Sequence, residues 1–152
     1  MSSFEAQDPN FQARVTASFA RQKMMQTLGA RLTNISPGAV EIELPFDENL
    51  TQQHGFVHAG AVATIGDTAC GYAALSLAAA DMAVLTIEYK INLLASAVGS
   101  SLIARGRVTR PGRTITVCAG DIFALSDDLK EKLVANMLAT IMLLPRRDDL
   151  ID

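Results

Sequence analysis

The sequence is poor in the residues that mark several common classes of protein. Its 152 residues carry 13 Lys and Arg against 16 Asp and Glu, a net charge of −3, so no broad basic face for nucleic acid is expected. Only two cysteines, Cys70 and Cys118, are present, in separate apolar segments and without a Cys-x-x-Cys pair. We therefore expect two reduced core thiols and no metal site.

Targeting and membrane signals are also missing. The N-terminus has neither a basic start nor an apolar run, so no signal peptide is expected and a cytoplasmic location is predicted. Residues 59–80 are numerous enough to span a bilayer, but they are rich in Ala, Gly and Thr and lack flanking Lys or Arg, so no membrane association is predicted. With 49% hydrophobic residues, residues 1–152 are predicted to form a single domain.

Charge is nearly absent from the middle of the chain. Between Glu48 and Asp81, the only formally charged residue is Asp67. The Ala-rich, proline-free segment 61–80 predicts a helix, apolar nearly all round and therefore buried on most sides. A lone carboxylate in such a helix costs several kcal/mol unless it is paired, hydrogen-bonded or protonated. Asp67 therefore serves either a local structural need or chemistry.

Periodicity predicts the other elements. Asn10 is predicted to cap an amphipathic helix that runs to Leu28 and stops at Gly29. Alternation of apolar and polar residues over 85–93 predicts a long strand with one buried and one exposed face. Further strands are predicted at residues 30–35, 39–44, 101–109, 114–125 and 132–144.

This order predicts an α+β fold: a curved antiparallel sheet of about five to six strands wrapped around one long central helix, plus an N-terminal helix. The short turns between the later strands make those strands antiparallel neighbours. The central helix can be apolar on all sides only if the sheet wraps it and a second subunit covers the remainder.

The start of the central helix, near His58-Ala59-Gly60, has unpaired N–H groups and a partial positive charge. Small residues there let a ligand approach the backbone, and such helix ends stabilise developing oxyanions. Asp67 lies eight residues beyond Ala59, about 12 Å along the helix axis at 1.5 Å per residue. The two positions are too far apart to serve one reacting carbon within one chain. Antiparallel helices of two subunits would bring them together, which predicts a site shared across a two-fold dimer.

A family resemblance rests on Gln52-x-His54-Gly55-x-x-His58-Ala59-Gly60 followed by Asp67 on the helix. This pattern resembles hotdog-fold acyl-CoA thioesterases of the phenylacetate-degradation (PaaI) type. The strand 86–94 and the turn 110–114 look like the family's later elements, so the resemblance covers roughly residues 10–145. It implies the hotdog fold, and Ala59 replaces the first Gly of the family's usual His-Gly-Gly. A backbone donor survives that replacement provided the position does not need a positive φ.

The resemblance also implies roles for individual residues. Asp67 would be the general base that activates water, or the nucleophile of a mixed anhydride. The Ala59 N–H would polarise the thioester carbonyl, and Gln52 would orient the carbonyl or the water. Thr86 would hold the water, and His58 would hydrogen-bond near the thioester or support the turn. The residues implied in binding substrate or coenzyme A are His54, Gly55, Gly60, Arg110 and Arg113, with the two arginines meeting the phosphates.

Most of these residues also have a plain structural interpretation. His54 and His58 could simply satisfy the turn, Gln52 could be a loop residue and Thr86 a strand residue on the exposed face. The two arginines could be solvated turn charges.

The leading hypothesis is a thioesterase that hydrolyses an acyl-CoA, aromatic or medium-chain, as a homodimer or a homotetrameric dimer of dimers. No separate cofactor is expected, because coenzyme A is part of the substrate. The alternatives are a non-catalytic acyl-CoA-binding hotdog domain and an enoyl-thioester hydratase that would use the two histidines with Asp67.

Overall fold

The computed structural model describes residues 4–150, and its elements follow the predicted order. The strands in this part of the chain form one antiparallel sheet, ordered β1-β2-β4-β5-β6-β3. The sheet curves around one central helix, and a helical N-terminal segment packs beside it, so the predicted architecture is confirmed. The elements are α1 (Phe11–Arg21), α2 (Lys23–Leu28), β1 (Arg31–Ser36), β2 (Ala39–Pro45), a 3-10 helix (Glu48–Leu50), α3 (Ala59–Leu75), β3 (Met82–Leu93), β4 (Ser101–Arg110), β5 (Ile115–Leu125) and β6 (Glu131–Pro145).

The central helix α3 rests closely on the sheet. Ile65 and Ala69 are fully buried in the main apolar cluster. A Cβ at Gly106 of β4 would come within 2.3 Å of the Ala69 carbonyl carbon, so only glycine permits this approach. Among residues 4–150, no helix is long and apolar enough to cross a membrane.

The prediction of one continuous N-terminal helix is wrong, because the chain breaks at Gln22. This residue has an extended backbone (φ −70°, ψ 105°) that ends α1 and begins α2. Its side-chain amide Nε2 donates to the Tyr72 hydroxyl at 3.0 Å, which fixes the break against α3. The predicted stop at Gly29 is confirmed, with a left-handed φ of 70°. Asn10 lies at the N-cap position of α1, but its side chain makes no capping bond.

The prediction that α3 extends to residue 80 is also wrong, because the helix ends at Leu75. The Ser76 hydroxyl donates to the Ala73 carbonyl at 2.7 Å. The Arg14 guanidinium donates to the carbonyls of Leu75, Ala78 and Ala79 at 2.7–2.9 Å. These bonds satisfy carbonyls that a longer helix would pair internally, and they join α1 to the end of α3.

The predicted burial of one face of β3 is wrong for two reasons. A bulge shifts the register between Thr86, which pairs with Ile141, and Glu88, which pairs with Thr140. Residues before and after the bulge therefore change faces, and Thr86 joins the inner row with the fully buried Ile141. In addition, β3 is the last strand of the sheet, so one edge is open. The apolar side chains of this strand that are 44–55% exposed are Leu85, Ile87, Tyr89 and Leu93.

Candidate active site

Asp67 lies on the one stripe of α3 that neither the sheet nor the N-terminal helices cover completely. Its half-buried neighbours on this stripe are Ala63, Thr64 and Gly71, which lie three or four residues away and share its helix face. The Thr86 hydroxyl donates to Asp67 Oδ1 at 2.7 Å. The β3 bulge makes this bond possible, because it turns Thr86 toward the helix.

The environment of Asp67 favours its protonated form more than water does. Burial raises the pKa of the Asp67 carboxyl, and the hydrogen bond from Thr86 lowers it, with burial the larger effect. No ion pair compensates this carboxylate among residues 4–150. A carboxylate with a raised pKa is a stronger base than a free one, which suits proton abstraction from water.

A groove of about 520 Å³, the Asp67 groove, opens at this carboxylate between α3, β3 and the N-terminal helices. One wall is polar: the Tyr72 hydroxyl lies 3.1 Å from Ser18 Oγ and accepts from Gln22 at 3.0 Å. The opposite wall includes Thr86 and the start of β3. The break at Gln22 thus shapes the groove as well as the helix pair.

The other end of the predicted site is the N-terminus of α3. His58 is the N-cap, and its Nδ1 accepts from the Gly60 N–H at 2.8 Å. The ring proton of a neutral His58 is therefore on Nε2. Within residues 4–150, the Ala59 N–H has no hydrogen-bond partner. Ala59 is not among the residues with positive φ, so the alanine presents its N–H without strain.

Gln52 lies beside Ala59 in a smaller pocket of about 170 Å³, the Ala59 pocket, which Leu93 also lines. Gln52 Oε1 accepts from the His54 N–H, so the amide NH2 group is the donor left to face the pocket. Gly55 needs its φ of 81° to close the turn. The His54 side chain is exposed and lies beside Gln53, outside the pocket lining.

The predicted site residues therefore fall into two separate groups within one copy of the chain, and we call these groups half-sites. Asp67 meets Thr86, and Ala59 meets Gln52, but the Asp67 groove and the Ala59 pocket share no lining residue. They lie at opposite ends of β3, because Thr86 lines one and Leu93 the other. Seven residues of strand separate those ends, roughly 23 Å at 3.3 Å per residue.

The predicted coenzyme A ligands Arg110 and Arg113 are exposed, and they flank the turn between β4 and β5. This turn lies at the Thr86 end of the sheet, since Thr86, Ile141 and Thr116 form one row across three strands. Two strand spacings place the turn roughly 10 Å from β3. The arginines are thus at the same end as Asp67 and in neither half-site.

Some residues of the Asp67 groove carry no signal in the sequence. Tyr72 and Met24 read as packing residues, yet both line the groove. Thr68, only 8% exposed, also lines it. The cysteines are free and buried as expected, and burial raises the pKa of Cys118 to about 12. The thiols therefore do not provide a nucleophile at neutral pH.

Comparison with known proteins matches residues 54–131 to the family described as Thioesterase superfamily. A Halobacterium salinarum protein whose name suggests an esterase is 31% identical over 84% of this chain and 85% of its own length. The chain belongs to the thioesterase superfamily. The predictions of a hotdog fold and of a hydrolase acting on thioesters are confirmed at that level.

Solved structures of the superfamily agree with this assignment. A thioesterase family protein of Silicibacter pomeroyi is 48% identical, with a TM-score of 0.87 over 90% of this chain and 99% of its own. The PaaI protein of the phenylacetic acid degradation operon of E. coli has a TM-score of 0.79 over 91% of this chain and 96% of its own. At 18% identity, that likeness concerns the fold alone.

Proposed function

We propose that this thioesterase superfamily member hydrolyses acyl-CoA thioesters at a site shared by two copies of the chain. One observation carries the proposal. A half-buried, hydrogen-bonded acid and an unpaired helix N-terminal N–H lie at opposite ends of one open edge strand that exposes several apolar side chains.

A two-fold axis at the open edge of β3 would join the half-sites. In an antiparallel pairing of two β3 strands, Thr86 of one copy lies opposite Leu93 of the other when the axis passes near Tyr89 and Lys90. Each Asp67 groove then meets the Ala59 pocket of the second copy. The same pairing would cover the exposed apolar side chains of β3, which supports a homodimer. A dimer of dimers remains a prediction.

The chemistry follows from the assembled halves. The thioester carbonyl oxygen would accept from the Ala59 N–H of one copy, and the Gln52 amide beside it would orient the carbonyl or the water. Asp67 of the other copy would take a proton from water, whose oxygen forms the new bond to the carbonyl carbon. The C–S bond then breaks, and the departing sulfur takes up a proton to give free coenzyme A. Thr86 would keep the attacking water at the carboxylate.

A second route uses the same groups. Asp67 would attack the carbonyl itself, forming a mixed anhydride that water then hydrolyses. Both routes need an ionised Asp67 and an oxyanion donor. Arg110 and Arg113, at the Thr86 end of the sheet, would meet the phosphates of coenzyme A, whose anionic groups suit guanidinium ligands.

The test is thiol release from a panel of aromatic, short-chain and medium-chain acyl-CoAs by the wild-type chain and Asp67→Asn. We expect the variant to lose roughly 10²–10⁴-fold in kcat, the range that general bases supply. The amide keeps the shape of the carboxyl, so circular dichroism should be unchanged. Full turnover by Asp67→Asn would contradict the assignment. Acyl-CoA binding without thiol release would favour the binding domain, and addition of water to an enoyl-CoA would favour the hydratase.

A further inference from the structure

The central helix α3 contains three glycines: Gly60, Gly66 and Gly71. A Cβ at Gly66 would come within 3.2 Å of side-chain atoms of β5 and β6, and a Cβ at Gly60 would come within 3.0 Å of the His58 ring. A Cβ at Gly71 would have no heavy atom of residues 4–150 within 4 Å, apart from those of its own helix. Packing within the chain therefore explains the first two glycines and does not explain Gly71.

A glycine at this position also weakens the helix. Glycine is the poorest helix former after proline, because its backbone loses the most conformational freedom on folding. Gly71 is not among the residues with positive φ, so its backbone conformation does not require glycine either. The missing side chain leaves open space on α3, which a ligand or a second copy of the chain can use.

This open space belongs to the Asp67 groove, which Gly71 lines. Gly71 lies four residues beyond Asp67, on the same face of α3 and about 6 Å along the helix axis. Both residues are half-buried. A substrate atom over Gly71 is therefore only a few bonds away from a carbonyl carbon that lies beside Asp67.

The order of elements around α3 indicates which part of the substrate lies there. The groove is between the N-terminal helices and the start of β3. The turn that carries Arg110 and Arg113 joins β4 to β5, on the other side of β3 and beyond β6. With the phosphates of coenzyme A at these arginines, as in the proposed function, the thiol side of the substrate extends toward the sheet. The acyl side then extends into the groove.

We propose that the acyl group lies in the Asp67 groove across Gly71, and that the missing side chain admits acyl groups that are broad next to the carbonyl. Such groups carry a ring or a branched carbon at that position. The inference rests on the proposed function and goes beyond it by naming a specificity-determining residue and a class of acyl group. Val84 and Leu85 line the groove as well and provide apolar contacts for such a group.

The stability of Gly71→Ala tests the first step of this argument. Alanine adds only the Cβ, which meets no neighbour outside its own helix among residues 4–150, and it is the best helix former. The Tm should therefore rise by a few degrees. Gly66→Ala is the matched control in the same helix, and it should not raise the Tm, because its Cβ would press on buried side chains. A lower Tm for Gly71→Ala would show that packing requires this glycine and would overturn the inference.

Turnover of a broad and a narrow substrate tests the occupant of the space. The wild-type chain should hydrolyse cyclohexanecarbonyl-CoA, whose ring adjoins the carbonyl, as well as the linear hexanoyl-CoA. Gly71→Leu should lower kcat/KM for cyclohexanecarbonyl-CoA roughly tenfold or more, while hexanoyl-CoA stays within about threefold. Ala20→Leu is the control, because it adds a leucine at an exposed helical position outside the groove, and it should change neither value.

The other results contradict the inference in distinct ways. An equal loss for both substrates in Gly71→Leu would assign the space to the coenzyme A arm, and loss of the dimer in gel filtration would assign it to the second copy. Unchanged kcat/KM for cyclohexanecarbonyl-CoA in Gly71→Leu, or wild-type hydrolysis of hexanoyl-CoA alone, would overturn only this inference. If the wild-type chain releases no thiol from any acyl-CoA, the proposed function fails and this inference fails with it.

Discussion

The middle and the N-terminus of α3 contribute to the proposed site by different means. At the middle, the working group is a side chain: Asp67, with Thr86 bound to it. At the N-terminus, it is a backbone N–H at Ala59. The side-chain half depends on residue identity. The backbone half does not. In the proposed function, alanine can replace the glycine of the family pattern, because it keeps the N–H and Ala59 has no positive φ.

The two halves also differ in their cost to the fold. A half-buried acid without an ion pair, such as Asp67, loses part of its solvation on folding, and this destabilises the folded chain. An unpaired N–H in the first turn belongs to every helix and costs little where a ligand or water can reach it. Variants that affect one half and spare the other test this difference.

The largest effect expected in the backbone half comes from Ala59→Pro. Proline is tolerated in the first position of a helix, and His58 already has the extended backbone (φ −61°, ψ 138°) that precedes proline without strain. The variant removes the unpaired Ala59 N–H. We expect kcat for acyl-CoA hydrolysis to fall roughly 10²–10³-fold, the loss typical for one oxyanion donor.

Ala59→Gly is the matched control, because it restores the family's glycine and keeps the N–H. It should retain activity within about threefold. Equal losses for the proline and glycine variants would show that the side chain, and not the N–H, matters at this position.

A smaller effect is expected from Thr86→Val in the side-chain half. It removes the hydrogen bond that lowers the pKa of Asp67, so that pKa rises further. Both routes need an ionised Asp67. The acidic limb of the pH dependence of kcat/KM should therefore move to higher pH as the pKa of Asp67 rises. Activity at neutral pH should fall roughly tenfold, as for a lost bond to a charged group. Thr86→Ser keeps the hydroxyl and should keep the limb in place. If the acidic limb of the kcat/KM profile does not move in Thr86→Val, the Thr86 hydroxyl does not control the pKa of Asp67.

The smallest expected effect is on stability. The pKa of Asp67 is raised in the folded chain, so the folded state binds more protons and stability falls as pH rises through that pKa. Asparagine does not ionise, so the Asp67→Asn variant does not lose stability as the pH rises. Its Tm should exceed that of the wild type by up to a few degrees at neutral pH, and the difference should vanish below the usual pKa of aspartate. A variant less stable than the wild type at neutral pH would indicate a structural role for the carboxylate.

The sequence predicts the elements well where local and tertiary requirements agree. In β2, Val40, Ile42 and Leu44 alternate with Glu41 and Glu43, and the structure buries these three apolar residues as the pattern indicates. The buried helix α3 with its single acid is equally plain in the sequence.

The sequence does not predict a local conformation that depends on contacts with another element of the fold. Nothing in the alternation over 85–93 reveals the bulge that turns Thr86 inward, because the bulge depends on pairing with β6. The apolar side chains of β3 are exposed for a similar reason: no element among residues 4–150 covers them, and in the proposed dimer the second copy would. The break at Gln22 depends on the Tyr72 hydroxyl, fifty residues away. The spacing of Ala59 and Asp67 does predict two half-sites, because it follows from helix geometry alone.

The most direct test of the shared site is complementation between two inactive variants. Asp67→Asn and Gln52→Ala each disable one half of the site, and the two chains can be co-expressed with different tags. If each site takes Asp67 from one copy and Gln52 from the other, the mixed dimer regains one intact site. Random pairing then restores about a quarter of wild-type thiol release. If the mixture stays as inactive as the separate variants while mixed dimers are isolated by both tags, the site lies within one chain and the account is contradicted.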